Sequence, residues 1–155
     1  MTALKSLLFL IFVPGMLAGY IPFAFLLTGP YVATGFLIYL ALPLWLIGGT
    51  ILLWCFWDFL TKGFGTPAPL DPPKELVVTG LYKYVRNPMY VGVILMLVAY
   101  FLWFGYWSLL IYTGAFFLAC HLFVLNYEEP TLEKKFGRAY KNYMKSVPRW
   151  VPKFK

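Results

Sequence analysis

Two long stretches without a charged side chain dominate this sequence. Residues 6–57 contain no Asp, Glu, Lys or Arg over 52 positions, and residues 87–127 contain none over 41. Only 12% of the 155 residues are charged, whereas ordinary soluble domains carry about 25%. So few charges cannot cover the surface of a soluble domain of this size, and so apolar a chain is not disordered. The chain is therefore expected to lie in a bilayer.

Each uncharged stretch is long enough for two membrane spans, because a helix needs about 20 residues to cross the hydrocarbon core. Thr28–Pro30 divides the first stretch into helices at about residues 4–27 and 32–60, and Phe104–Tyr106 divides residues 89–125 into a short hairpin. We expect an all-α, multi-pass transmembrane helical bundle of about four spans. Three prolines inside the first two helices are expected to kink them: Pro14, Pro22 and Pro43.

The basic residues predict the topology of this bundle. All 13 lie in three zones, Lys5, Lys62–Arg86 and Lys134–Lys155, and neither hairpin tip carries one. The positive-inside rule then puts the N-terminus, the middle loop and the C-terminus in the cytoplasm. The net charge of +7 is accordingly attributed to membrane topology and anionic headgroups, not to nucleic acid. A cleaved signal peptide is the less favoured alternative for the first segment, since the apolar run has no polar start after it.

We expect a single integral-membrane domain over residues 1–155. It comprises two N-terminal spans (1–60), a cytoplasmic loop (61–88), a helical hairpin (89–125) and a cytoplasmic cap (126–155). The cap has apolar residues at three- or four-residue steps with basic residues between them, which predicts an amphipathic helix at a membrane surface, ended by Pro148. The apolar positions are Leu132, Phe136, Tyr140, Tyr143 and Val147.

Familiar catalytic and metal motifs are missing. The sequence has no G-x-G-x-x-G pattern and no Walker loop, and one His with two Cys is too small a set for a zinc site. Cys55 and Cys120 lie in apolar runs and are expected to be buried thiols. We interpret Cys120 and His121 as a packed core pair.

Polar residues concentrate where the second hairpin meets the cytoplasm. Asn87 and Pro88 suit the cap and first position of a helix, whose free N–H groups could bind a carboxylate. The alternative is that Arg86 and the neighbouring tyrosines only anchor the helix at the headgroups. Glu128 and Glu129 repel each other at a membrane boundary and require partners. The candidates are Arg86, Lys83 and Arg149.

Two motifs carry a family resemblance. The first is Gly80-x-Tyr82-x3-Arg86-Asn87-Pro88-x-Tyr90-x-Gly92, and the second is Glu128-Glu129-x2-Leu132-x3-Phe136-Gly137-x2-Tyr140-x2-Tyr143-x3-Val147-Pro148. In this order and spacing they resemble the isoprenylcysteine carboxyl methyltransferase family, and phospholipid N-methyltransferases share the second motif. The resemblance covers about half of the chain, from Lys74 to Pro152.

The resemblance implies an integral-membrane methyltransferase that holds S-adenosylmethionine in a cytoplasmic pocket and acts on a membrane-embedded, lipid-like substrate. The residues that it implies for cofactor binding are Lys74, Glu75, Leu76, Val77, Tyr82, Asn87, Pro88, Met89, Tyr90 and Glu128. We expect Arg86, Glu129 and Arg149 to be the catalytic residues, and no metal to take part. The expected partners are a membrane lipid or lipidated small substrate and the bilayer, with no nucleic acid.

The methyl acceptor and two other function classes stay open. The prenylcysteine enzymes carry an arginine one turn before the first Glu, where this chain has Val124, so a lipid amine or another small amphiphile is favoured over a prenylcysteine carboxylate. Sterol and steroid reductases resemble the same C-terminal region, which makes an NADPH-dependent membrane reductase one alternative. A non-enzymatic membrane or lipid-binding protein is the other, and it predicts that Arg86 and Glu128 can be changed without effect.

Overall fold

The computed structural model describes residues 12–58, 61 and 75–153. This part of the chain forms five helices and no β-strand, so the all-α prediction is confirmed for it. In chain order the helices are α1, Met16–Phe25; α2, Gly35–Asp58; α3, Pro88–Phe104; α4, Trp107–Phe136; and α5, Arg138–Ser146. A single 3-10 turn at Gly80–Lys83 precedes α3.

Two of these helices, α2 with 24 residues and α4 with 30, are long and apolar enough to cross a membrane. The other two apolar helices, α1 and α3, are shorter. Large apolar side chains of α2, among them Leu46, Leu53 and Trp57, are more than half exposed. So large an apolar surface is typical of a protein that is covered by lipid.

Two five-residue π-helical turns each end two positions before a proline. Residues Met16–Tyr20 precede Pro22, and residues Val124–Glu128 precede Pro130. Proline has no N–H for the helical hydrogen bond, and its ring collides with the carbonyl four residues earlier. The wider turn removes that carbonyl from the ring. The helix thus has a local π-helical turn before Pro22, and the kink that the sequence predicts there stays a prediction.

The bundle is centred on the crossing of α2 and α3. At the crossing, a Cβ atom added to Gly48 would lie 2.6 Å from the carbonyl oxygen of Gly92. Only glycine allows the two backbones to approach this closely. A buried cluster of four side chains lies beside the crossing: Ala18, Leu52, Val93 and Leu97.

The tips of the two hairpins meet at one end of the bundle. The backbone N–H of Val32 donates to the Gly105 oxygen at 2.8 Å, and the N–H of Trp107 donates to the Pro30 oxygen at 3.1 Å. The Ser108 hydroxyl donates to carbonyl oxygens of the first tip. Polar and charged residues of the two motifs lie at the opposite end of α3 and α4, so the site is built at the end that faces away from the tips.

The C-terminal region differs from its prediction in two ways. The sequence predicts that the hairpin ends at residue 125, but α4 continues through Pro130 to Phe136, because the π-helical turn accommodates the proline. The predicted amphipathic helix is divided, since Gly137 has φ 54° and separates α4 from α5, a helix that buries Tyr140 and Tyr143 and exposes Lys141 and Lys145. The buried Tyr140 of α5 packs against residues of the protein itself, including Leu76.

Candidate functional site

The first motif supplies one wall of the site. The 3-10 turn ends at Lys83, an irregular segment follows, and Pro88 is the first residue of α3. Asn87 precedes the helix as predicted, but its side chain forms no capping hydrogen bond. Instead, Asn87 Nδ2 donates to the backbone oxygen of Arg149 at 3.2 Å. The cap interpretation of this side chain is therefore wrong, and Asn87 connects α3 to the end of the chain.

Three predicted residues meet in one charge cluster, which we call the Glu129 ion cluster. Arg86 Nη1 donates to Glu129 Oε1 at 2.7 Å, and Arg149 donates through Nε to Oε1 at 2.8 Å and through Nη2 to Oε2 at 2.9 Å. The side chains of Arg86 and Glu129 are only 10% and 12% exposed. Short, charge-assisted bonds between nearly buried groups fix their geometry far better than surface ion pairs do.

The neighbouring acid is held separately. Tyr90 donates its hydroxyl hydrogen to Glu128 Oε2 at 3.1 Å. Because Glu128 precedes Glu129 directly, the Tyr90 bond and the ion cluster together join both motifs of the sequence. The two acids thus have different environments: Glu129 is neutralised by two guanidinium groups, whereas the partner of Glu128 is an uncharged hydroxyl. The expectation that the paired acids require partners agrees with this arrangement, in which Arg86 and Arg149 both contact Glu129.

The end of the chain lies across the site, and we call residues Val147–Lys153 the C-terminal strap. Its backbone pairs with the first motif, since the N–H of Arg86 donates to the Pro148 oxygen at 2.9 Å and the N–H of Lys153 donates to the Tyr84 oxygen at 3.0 Å. Together with the Arg149 contacts, these bonds enclose the Glu129 ion cluster between the strap and the first motif.

Trp150 and His121 belong to the strap contacts, and the sequence interpretation misses both. Trp150 Nε1 donates to His121 Nδ1 at 3.0 Å, and the two rings lie with Phe117 in one aromatic cluster. His121 is therefore a polar link between α4 and the strap, where a purely packed core pair with Cys120 is predicted. A single histidine and a tryptophan between two prolines give no sequence signal that they meet.

The remaining predicted cofactor residues are dispersed. Val77 and Tyr82 pack with Cys55 in one buried cluster, and Met89 borders it, whereas Leu76 packs against α5. Pro88 is buried and Glu75 is exposed. Lys74 lies outside the described residues. Tyr82 contributes a backbone contact, because its carbonyl oxygen accepts a 2.7 Å hydrogen bond from the Tyr143 hydroxyl.

Burial keeps the phenols beside the ion cluster protonated. Burial raises the pKa of Tyr140 to about 12, and the negative charge of Glu129 acts in the same direction. In the separate buried cluster with Cys55, burial likewise raises the pKa of Tyr82 well above its ordinary value. The hydrogen bond to Glu129 raises the pKa of Arg149. The site therefore offers neutral hydroxyl donors and permanent guanidinium charges at physiological pH.

A second buried acid supports the first motif from α2. Asp58 follows the first uncharged stretch, where the sequence predicts a solvated helix end, but it is only 1% exposed. Its carboxylate lies against Gly80, where an added Cβ would be 2.2 Å from Asp58 Oδ2. Gly80 also has φ 59°, a conformation that glycine adopts without strain. This contact joins the 3-10 turn of the first motif to the end of α2.

One hydrogen-bond donor of the site has no partner in the described chain and could donate to an anionic group of a ligand. Arg86 Nε is buried and has no hydrogen-bond partner among the described residues. Buried polar atoms without a partner are rare and often mark a place where a ligand group or water binds. Glu128, with its neutral phenol partner, provides the complementary negative charge. One site thus offers a donor for a carboxylate and an acceptor for a cationic or hydroxyl group.

Comparison with known proteins agrees with the resemblance seen in the two motifs. A family profile described as phospholipid methyltransferase matches residues 36–139. The chain is also 38% identical over 65 residues to an uncharacterized protein of Haemophilus influenzae, and these residues are 41% of this chain and 100% of that protein. The profile covers most of the chain, including the first motif and both acids of the second. The chain therefore belongs to the phospholipid methyltransferase family.

Proposed function

We propose that the protein is an S-adenosylmethionine-dependent methyltransferase that acts on a lipid-like substrate within the membrane. The observation that carries the proposal is the pair of adjacent acids in two environments, with Glu128 on the Tyr90 hydroxyl and Glu129 in the ion cluster. The site thereby combines separate anionic and cationic recognition groups. S-adenosylmethionine has the matching charges, namely a cationic sulfonium, an amino group and a carboxylate.

The residues present fit this cofactor. We assign the carboxylate of the cofactor to the Arg86 guanidinium, because its Nε has no hydrogen-bond partner among the described residues. We assign the amino group or ribose hydroxyls to Glu128, with Tyr90 orienting its carboxylate. When bound, the cofactor supplies a methyl group on a sulfonium. Among the other expected binding residues, Asn87 and Met89 lie at the start of α3 beside these two groups.

In this proposal the Glu129 ion cluster contributes to the reaction by holding its two arginines in position. Both Glu129 oxygens already accept hydrogen bonds from arginine, so this acid holds Arg86 and Arg149 in fixed orientations. The expectation that all three residues are catalytic becomes a narrower proposal, in which Arg86 touches a ligand and Glu129 acts through it. Correct orientation and exclusion of water supply most of the acceleration that methyl transfer needs.

An amine is the favoured methyl acceptor. Val124 occupies the position at which the prenylcysteine enzymes carry an arginine, and it is only 1% exposed. No guanidinium is available there to bind a substrate carboxylate. We therefore favour a lipid amine over a prenylcysteine carboxylate. The amine would attack as the free base, so that the new carbon–nitrogen bond forms as the methyl carbon–sulfur bond breaks, S-adenosylhomocysteine leaves as the neutral thioether, and the methylated ammonium loses its proton to solvent.

We further propose that α1–α4 make four membrane crossings, with both termini in the cytoplasm. The contact between the two hairpin tips supports this arrangement, since it puts both tips at one end of the bundle. The motifs lie at the other end, next to the basic residues. Single cysteines introduced at Thr28 and Lys145, after both native cysteines are replaced, are expected to be labelled from opposite sides of sealed vesicles.

Methyl transfer to extracted membrane lipids tests the function. The purified protein is incubated with donor that carries a labelled methyl group, and the lipid fraction is counted before and after alkali, which hydrolyses methyl esters but not N-methyl groups. We expect alkali-stable label, lost in Glu128→Gln and kept in Glu133→Gln. Alkali-labile label would identify a carboxylate acceptor. No transfer by folded protein to any membrane lipid would contradict the proposal.

A further inference from the structure

A basic groove opens where α4 ends and α5 begins, and we call it the cap groove. Gly137, with φ 54°, forms the break between the two helices, and an added Cβ there would have nothing within 4 Å. The space beside the Gly137 backbone is therefore free of other atoms of the described residues. The lining residues of the cap groove are Pro130, Glu133, Lys134, Gly137, Arg138 and Lys141.

The charges of the cap groove are unbalanced. Lys141 Nζ contacts Glu133 Oε1 at 3.0 Å, which neutralises one of the three basic side chains. Within residues 75–153, Lys134 and Arg138 form no ion pair with an acid. Both are exposed. Two cationic groups of different shape, an ammonium and a planar guanidinium, thus face one groove without an acidic partner in the described chain.

The position of the groove along α4 indicates where its ligand comes from. Lys134 follows Tyr127, the last residue of the uncharged stretch, by seven positions, which is about 10 Å along a helix. The polar layer on each side of a bilayer is about 5–8 Å thick. Long basic side chains reach back toward that layer. Lys134 and Arg138 are therefore within reach of lipid phosphates on the side where α4 leaves the hydrocarbon.

We propose that the cap groove binds the phosphate of an anionic phospholipid of that same leaflet. A guanidinium can donate two parallel hydrogen bonds to phosphate oxygens, and the ammonium of Lys134 adds a second charge. Two cations attract a lipid with net negative charge more strongly than a zwitterionic lipid, whose own cationic group offsets part of the attraction. The bound lipid contacts the break between α4 and α5, which adjoins the Glu129 ion cluster through Glu129–Phe136. This inference is independent of the reaction that the protein catalyses.

Lipid binding to the full chain in neutral detergent tests the proposal by native mass spectrometry. The protein is titrated with phosphatidylglycerol and, separately, with phosphatidylcholine of the same acyl chains. Each basic residue near a lipid surface contributes about 1 kcal/mol, so Lys134→Gln/Arg138→Gln is expected to weaken phosphatidylglycerol binding about thirty-fold. The matched control Lys145→Gln/Lys153→Gln removes the same charge elsewhere and is expected to change it less than three-fold.

The outcomes separate the ligand sources. Selective loss in the groove variant, with phosphatidylcholine binding unchanged, supports the proposal. Equal loss in both double variants would overturn it in favour of overall charge attraction. Displacement of phosphatidylglycerol by millimolar inorganic phosphate would overturn it in favour of a free-anion site. Should the double variant not fold, the single change Lys134→Gln at its exposed position is expected to weaken binding about five-fold.

Discussion

Glu129→Gln is the substitution for which the structure predicts the largest effect without a change in side-chain volume. The wild-type carboxylate accepts three hydrogen bonds from two guanidinium groups at 2.7–2.9 Å. The neutral amide retains one oxygen acceptor and presents an NH₂ group to cationic donors. Arg86 then stays nearly buried without a counter-charge.

The size of the effect follows from the burial of the three side chains. Removing one partner from a buried ion pair costs about 3–5 kcal/mol. Arg149 is 27% exposed and can be rehydrated, whereas Arg86 is only 10% exposed. The lower end of the range therefore applies, and we expect the free energy of unfolding to fall by about 3 kcal/mol.

Glu133→Gln is the matched control, because it makes the same chemical change one turn further along α4. Its ion pair with Lys141 has side chains that are 41% and 58% exposed, and such pairs contribute about 0–1 kcal/mol. Reversible unfolding of both variants in mixed micelles, followed by circular dichroism, measures the difference. Equal losses in the two variants, or less than about 1 kcal/mol for Glu129→Gln, would refute the argument that burial makes the Glu129 ion cluster strong.

Two further predictions concern packing and the strap. Gly48→Ala is expected to lower the free energy of unfolding by about 1–3 kcal/mol, because its Cβ would lie 2.6 Å from the Gly92 oxygen. The control Gly49→Ala has nothing within 4 Å of its Cβ and should be neutral or stabilising. Equal effects of the two changes on reversible unfolding would contradict the close crossing. Trp150→Phe keeps an aromatic ring, although a smaller one, and removes the N–H donor to His121. Amide hydrogen exchange in the strap should therefore become faster, and unchanged exchange would show that this bond does not hold the strap.

The helical organisation could largely be predicted from the sequence, because charge-free stretches and glycine–proline clusters are local signals. The turn at Gly105 and the start of α3 at Pro88 follow from these signals. The continuation of α4 past Pro130 could not be predicted, since it depends on a π-helical turn that a proline permits but does not require. The break at Gly137 depends likewise on a backbone conformation that glycine allows in many contexts without adopting it.

The residues of the site could be found from the sequence, but not their pairing. Arg86 and Arg149 are both candidate partners for the acids, and spacing alone does not show that one carboxylate binds both. The Trp150–His121 bond and the burial of Asp58 arise from tertiary packing between distant segments. Such contacts have no periodicity and therefore leave no pattern in a single sequence.

Titration of S-adenosylhomocysteine into the detergent-purified protein tests the central claim most directly, with NADPH as a separate titrant. We expect S-adenosylhomocysteine to bind the wild type and Glu133→Gln equally. Loss of a charged hydrogen-bond partner should weaken its binding to Glu128→Gln about ten- to hundred-fold, and NADPH should not bind. Binding of NADPH alone would indicate a reductase. Undiminished binding of S-adenosylhomocysteine to Glu128→Gln would contradict the assignment of Glu128 to the cofactor.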